Sequence, residues 1–145
     1  MAWFPKAGEI SESEDSLVSR KYGQVRIFRT VCELKGGPVY AAGQILLPPG
    51  LTKAPPKVRQ DFFRDMMLDE LKGKLVEEKK ASLGSMAGKE YLIQTPGGLA
   101  RFRLLGTGVQ MYRLVAVGTK EQMKSKDVDI FFDSFRRTPA TKKDK

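Results

Sequence analysis

Glycine and proline cut this chain into short pieces, and the length of those pieces limits the folds open to it. They cluster at Gly36-Gly37-Pro38, Pro48-Pro49-Gly50, Pro55-Pro56, Gly84, Pro96-Gly97-Gly98 and Gly106-Thr107-Gly108. Each cluster ends a regular element, proline because it lacks a backbone donor and glycine because it tolerates turn conformations. Tyr22 to Leu34 and Pro38 to Leu47 are rich in Val, Ile and other β-formers, and Gly36-Gly37 between them predicts a hairpin. Val76 to Leu83, Lys89 to Thr95, Leu99 to Leu105 and Gln110 to Val117 follow one another across glycine-containing turns, which predicts an antiparallel meander. The strand period of two sets Phe102 and Leu104 on one face and Arg101 and Arg103 on the other.

Two stretches break the strand pattern. From Pro56, Val58, Phe62, Phe63, Met66, Met67, Leu71 and Leu75 recur at three- and four-residue spacing, predicting an amphipathic helix that ends near Gly73. About Lys120 to Phe135 reads as a second helix, with Val128, Phe131, Phe132 and Phe135 on one stripe. Glu9 to Ser16 is acidic and polar and reads as a solvated loop or hairpin tip, with a first strand close to the N-terminus. Three strands, a helix, four strands and a helix give an α+β class, with a central antiparallel sheet of about six to seven strands flanked by helices. The 145 residues suit a single domain, expected over 1–138, followed by a basic disordered tail over 139–145.

The residue inventory narrows the chemistry. The chain has no histidine and one cysteine, Cys32. Histidine-dependent triads, histidine zinc sites, multi-cysteine metal sites and an intramolecular disulfide are therefore all closed to it. No apolar run approaches the roughly 20 residues of a membrane-spanning helix. The N-terminus as written shows no secretory pattern, so the expected location is cytoplasmic, or exported if a signal peptide once preceded it.

Short motifs resolve into ordinary structure. Gly84-Ser85-Met86-Ala87-Gly88-Lys89-Glu90 has three residues between its glycines and Glu after the lysine, where a phosphate loop has four and Ser or Thr, so it reads as a β-turn. Gly106-Thr107-Gly108 has Met111 at the third glycine position of a dinucleotide fingerprint. Cys32, between Val31 and Leu34 in a strand, reads as a small apolar core residue. Asp127, Asp129 and Asp133, with Glu77 and Glu78, lack a metal or paired-carboxylate spacing; at a helix start the aspartates suit its dipole.

Lysine and arginine outnumber the acids by 26 to 17, a net +9. From Arg136 onward, Arg136, Arg137, Lys142, Lys143 and Lys145 stand against Asp144, leaving about +5 for the folded body, a modest charge. Arg29, Arg101, Arg103 and Arg113, with Arg136 and Arg137 beyond them, are the candidate anion or partner patch, provided that strand register brings them to one face. Tyr22, Tyr40 and Tyr112 could add stacking surface.

The segment from about Leu83 to Thr138 carries Gly88-Lys89-Glu90, Arg101-Phe102-Arg103, the run from Met111 to Gly118, and Phe131-Phe132-Asp133-Ser134-Phe135. In these motifs and their order it resembles the uncharacterised bacterial branch of the PsbP/Mog-like superfamily. The resemblance implies an α/β/α sandwich and a binding or assembly module, since members range from an extrinsic photosystem subunit to a Ran-binding nuclear factor. It carries no metal, because the histidines that some PsbP proteins use have no counterpart.

The resulting expectation is a non-catalytic binding or assembly domain without cofactor, engaging a protein partner. The alternatives are a binder of nucleic acid or an anionic surface through the arginines and tail, and a carrier of an apolar small ligand between the Met66/Met67 helix and the sheet.

Overall fold

The predicted strands pair with one another in one sheet. The computed structural model describes residues 8–83, 86–106 and 110–134. The strands are β1 (Glu9–Ser19), β2 (Gly23–Glu33), β3 (Val39–Leu46), β4 (Lys74–Leu83), β5 (Met86–Thr95), β6 (Gly98–Gly106) and β7 (Gln110–Gly118). They pair antiparallel throughout, in the order β1-β2-β3-β7-β6-β5-β4. Helices are few among the described residues: α1 (Pro49–Thr52), α2 (Pro56–Leu71) and α3 (Lys126–Ser134), with a 3₁₀ turn at Gln122–Lys124. The molecule is mostly sheet. No helix among the described residues is long and apolar enough to cross a membrane.

Each face of the sheet has its own core. On one face Val25, Ile27, Ile45, Tyr91, Ile93, Phe102, Leu104 and Val115 pack with Leu51 of α1 and with Phe63 and Met67 of α2. On the other, Cys32, Tyr40, Leu105, Leu114 and Ala116 pack with Val128, Phe131 and Phe132 of α3. Alternation along β6 and β7 feeds both faces, which is why no residue of these central strands is exposed.

Two backbone details hold α2 in place. Arg59, buried although it lies on a helix of charged residues, donates from Nη1 to the Thr52 and Ala54 carbonyls at 3.2 and 2.7 Å, binding the end of α1 to the first turn of α2. At the other end Lys72 takes the left-handed conformation (φ 51°), and Gly73 N–H donates to the Leu68 carbonyl at 3.0 Å, a Schellman closure. A Cβ on Gly73 would stand 2.4 Å from Ile93 Cγ2, so the glycine follows the left-handed residue to let the chain turn closely onto β5.

Three expectations change. Glu9 to Ser16 is neither loop nor hairpin tip but most of β1, paired residue for residue with β2 from Glu9↔Glu33 to Ser19↔Gly23. An edge strand exposed on both faces needs no apolar alternation, so its sequence looks like a loop. The last helix is shorter than Lys120 to Phe135: the 3₁₀ turn is closed by Ser125, in extended conformation, before α3 begins. Leu75 leaves the α2 stripe for β4, beyond the Lys72 cap. Phe135, the tail over 139–145, Gly84-Ser85 and Thr107-Gly108 lie outside the described residues.

Candidate functional site

Strand register divides the predicted arginines between the faces. Arg29 lies two residues from Ile27, and Arg113 lies between Met111 and Val115, so both stand on the α2 face, in one row across Gly43. Arg101 and Arg103 alternate with Ala100, Phe102 and Leu104 and stand on the α3 face. The four do not form one patch. Arg136 and Arg137 lie outside the described residues.

On the α3 face the two arginines converge on Glu90 of β5, a carboxylate only 5% exposed. Arg103 donates to Glu90 Oε1 from Nη2 at 2.7 Å and Nε at 2.9 Å, and Arg101 Nε lies 3.1 Å from Oε2. Lys79 Nζ approaches the same carboxylate at 3.5 Å. The outer ends of both guanidinium groups reach α3: Arg103 Nη1 donates to the Phe132 carbonyl at 3.0 Å, and Arg101 Nη1 donates to Asp129 at 2.6 Å. Phe132 lies beneath both, 4.4 Å from the Arg101 guanidinium and 5.4 Å from that of Arg103. Burial alone would raise the Glu90 pKa, but the hydrogen bonds and charges of Arg101 and Arg103 outweigh it and hold the carboxyl below the usual glutamate range. A cleft of about 260 Å³ opens beside this cluster, lined by Glu77, Lys79, Glu90, Leu92, Arg101 and Asp129.

Chemically, this cluster is a clasp. Its guanidinium groups are engaged by Glu90, Asp129 and the Phe132 carbonyl, so an incoming phosphate would have to displace partners already in place. Glu90 carried a readable signal: arginines two apart in a strand share a face, and a burying face demands an acid from the neighbouring strand.

Arg113 presents the opposite case. It is 3% exposed, and neither Nε nor Nη1 has a hydrogen-bond partner among the described residues. Burial lowers its pKa, and the charges of Glu70 and Asp15 only partly offset this. Arg29 is satisfied, with Nε on Ser13 Oγ at 3.1 Å and Nη2 on the Asp15 carboxylate.

Cys32 and Tyr40 lie in the core. Cys32 is fully buried, and burial pushes its thiol pKa up. Tyr40 is fully buried against Phe131 and its pKa is pushed up to about 12, first by burial. Asp127 and Asp129 lie in the first turn of α3, the helix-dipole position.

Among the described residues, two strands of the sheet have a neighbour on one side only. β1 and β4 are the two edges of the sheet. Every residue of β1 from Glu9 to Val18 is exposed, including Ile10 at 59% and Val18 at 73%. β1 carries Glu9, Glu12, Glu14 and Asp15 and no basic residue; Arg26 of β2 engages Glu14 at 2.8 Å and Arg29 engages Asp15. Its pairing with β2 is free of register shifts over all eleven residues. β4 has an irregularity at Val76, between Leu75 and Glu77, and carries Lys74, Glu77, Glu78, Lys79 and Lys80. No family model, curated protein or solved structure matches the chain.

Proposed function

We propose that this chain is a non-catalytic binding or assembly domain that takes a protein partner by adding a strand to an edge of its sheet. One observation carries the reading: β1 is an unbroken, eleven-residue edge, exposed from Glu9 to Val18, without bulge, lysine or proline. Natural edges usually hold at least one of those defences, because unpaired N–H and C=O groups template another strand. The polyanion reading loses Arg101 and Arg103 to Glu90 and Asp129. The space between α2 and the sheet holds Phe63 and Met67 as packed core, which favours a binding edge over an apolar-ligand cavity. The proposal extends to the architecture, an α/β/α sandwich of the PsbP/Mog-like kind, supported by the order of elements and by α2 and α3 packing on opposite faces.

Affinity capture from host lysate, with and without nuclease and at low and high salt, followed by hydrogen exchange on the recovered complex, tests the reading. The expected result is a protein retained through both treatments, with slowed amide exchange along an edge strand. Recovery lost to nuclease or salt, or protection confined to other parts of the sheet, would overturn it.

A further inference from the structure

The sheet has seven strands, all antiparallel, so its edges β1 and β4 run in the same direction. A second copy added by translation would therefore meet β4 with its own β1 in parallel. An antiparallel pairing that closes as a dimer requires a two-fold axis normal to the sheet, which brings β4 to β4 or β1 to β1. The β1 pairing would set Glu9, Glu12, Glu14 and Asp15 among their own copies, and like charges across strands repel.

In β4 the charge order is the reverse case. Glu77-Glu78-Lys79-Lys80 changes sign along the strand, so an antiparallel copy faces it with the opposite order. Paired residues must share a face, so the axis passes through a residue that meets its own copy. With Lys79 on the axis, Glu78 stands opposite Lys80 of the second copy, twice, on the α2 face. Glu77 then stands opposite Ala81 of the second copy on the α3 face, and the Val76 irregularity falls near the end of the seam, opposite Ser82. With Glu78 on the axis, two Glu78 carboxylates would meet and Val76 would fall inside the seam. The two Lys79 ammonium groups are each held 3.5 Å from a buried Glu90 carboxylate and flanked by Glu77, which offsets their mutual repulsion.

From this we propose that β4 is a self-recognition edge, along which a second copy of this chain pairs antiparallel about a two-fold axis at Lys79. The proposal rests on the strand-addition reading. Edge lysines keep foreign strands away, and the glutamates beside them make a second copy the exception.

Lys79→Cys tests the register directly, because the only other cysteine, Cys32, is fully buried. Under mild oxidation the full chain carrying K79C should run as a disulfide-linked dimer, while Ser11→Cys on β1 stays monomeric. Sedimentation of the unaltered chain should show concentration-dependent dimers, weakened about tenfold by Lys80→Glu. A K79C chain that stays unlinked where the unaltered chain dimerises, or an unaltered chain monomeric at every concentration, would overturn the proposal. If that monomer still protects β1 on capturing a partner, self-pairing alone fails; if no edge is protected, strand addition fails with it.

Discussion

At the scale of single residues, two of the three buried charges among the described residues, Glu90 and Arg113, are handled in opposite ways. Glu90 is surrounded by donors, so removing its charge strands Arg101 and Arg103. Glu90→Gln should cost about 3 kcal/mol in denaturant unfolding, because breaking one side of a buried cluster leaves the other uncompensated. The pH dependence follows from the depressed carboxyl. Below the ordinary glutamate range the unfolded chain binds a proton that the folded chain resists. The Glu90 contribution is thus complete above that range and is lost as pH falls through the lower folded value. Acid titration of stability should be flatter in E90Q than in the unaltered protein. Arg113, lacking partners for two of its nitrogens among the described residues, predicts the reverse: Arg113→Met should stabilise by about 1–3 kcal/mol, whereas an equal loss would reveal an ion pair that satisfies it. The opposite facing of Arg101 and Phe102 was legible from the period of two. The splitting of Arg113 from Arg101 was not, because it depends on how β6 and β7 align, a long-range fact with no local signature.

At the scale of elements, what is legible follows from what each element buries. β4, exposed from Lys74 to Lys80, is legible only from the glycines that bound it; β2, β3, β5, β6, β7 and α2 announce themselves through apolar periodicity and glycine turns, because they have a dry side. β1 has none, and its polar sequence is that of a loop until β2 supplies a partner. Close approach is equally invisible in composition. Gly43 of β3 has no positive φ, yet a Cβ there would stand 2.3 Å from the Phe28 carbonyl oxygen. Gly43→Ala should therefore destabilise by about 2–3 kcal/mol, measured by thermal unfolding, by pushing β2 away from β3. A change within a few tenths would show that the two strands can shift apart freely. Asp129→Ala, by contrast, removes an exposed partner of Arg101 and should cost no more than about 1 kcal/mol.

At the scale of the whole molecule, the net charge of +9 suggested a polyanion surface, but the fold distributes it otherwise. Arginines on the α3 face are drawn inward to Glu90 and Asp129, an acidic strand lies along one edge, and a strand of mixed sign lies along the other. Among the described residues, β1 and β4 have a neighbouring strand on one side only, and that is where we propose that a partner binds. Hydrogen exchange on the protein alone and with its captured partner measures this most directly. Slowed exchange along β1 or β4, with the Glu90 cluster and α3 unchanged, is the predicted result. Protection centred on α2, α3 or the middle of the sheet, with both edges exchanging as before, would contradict it.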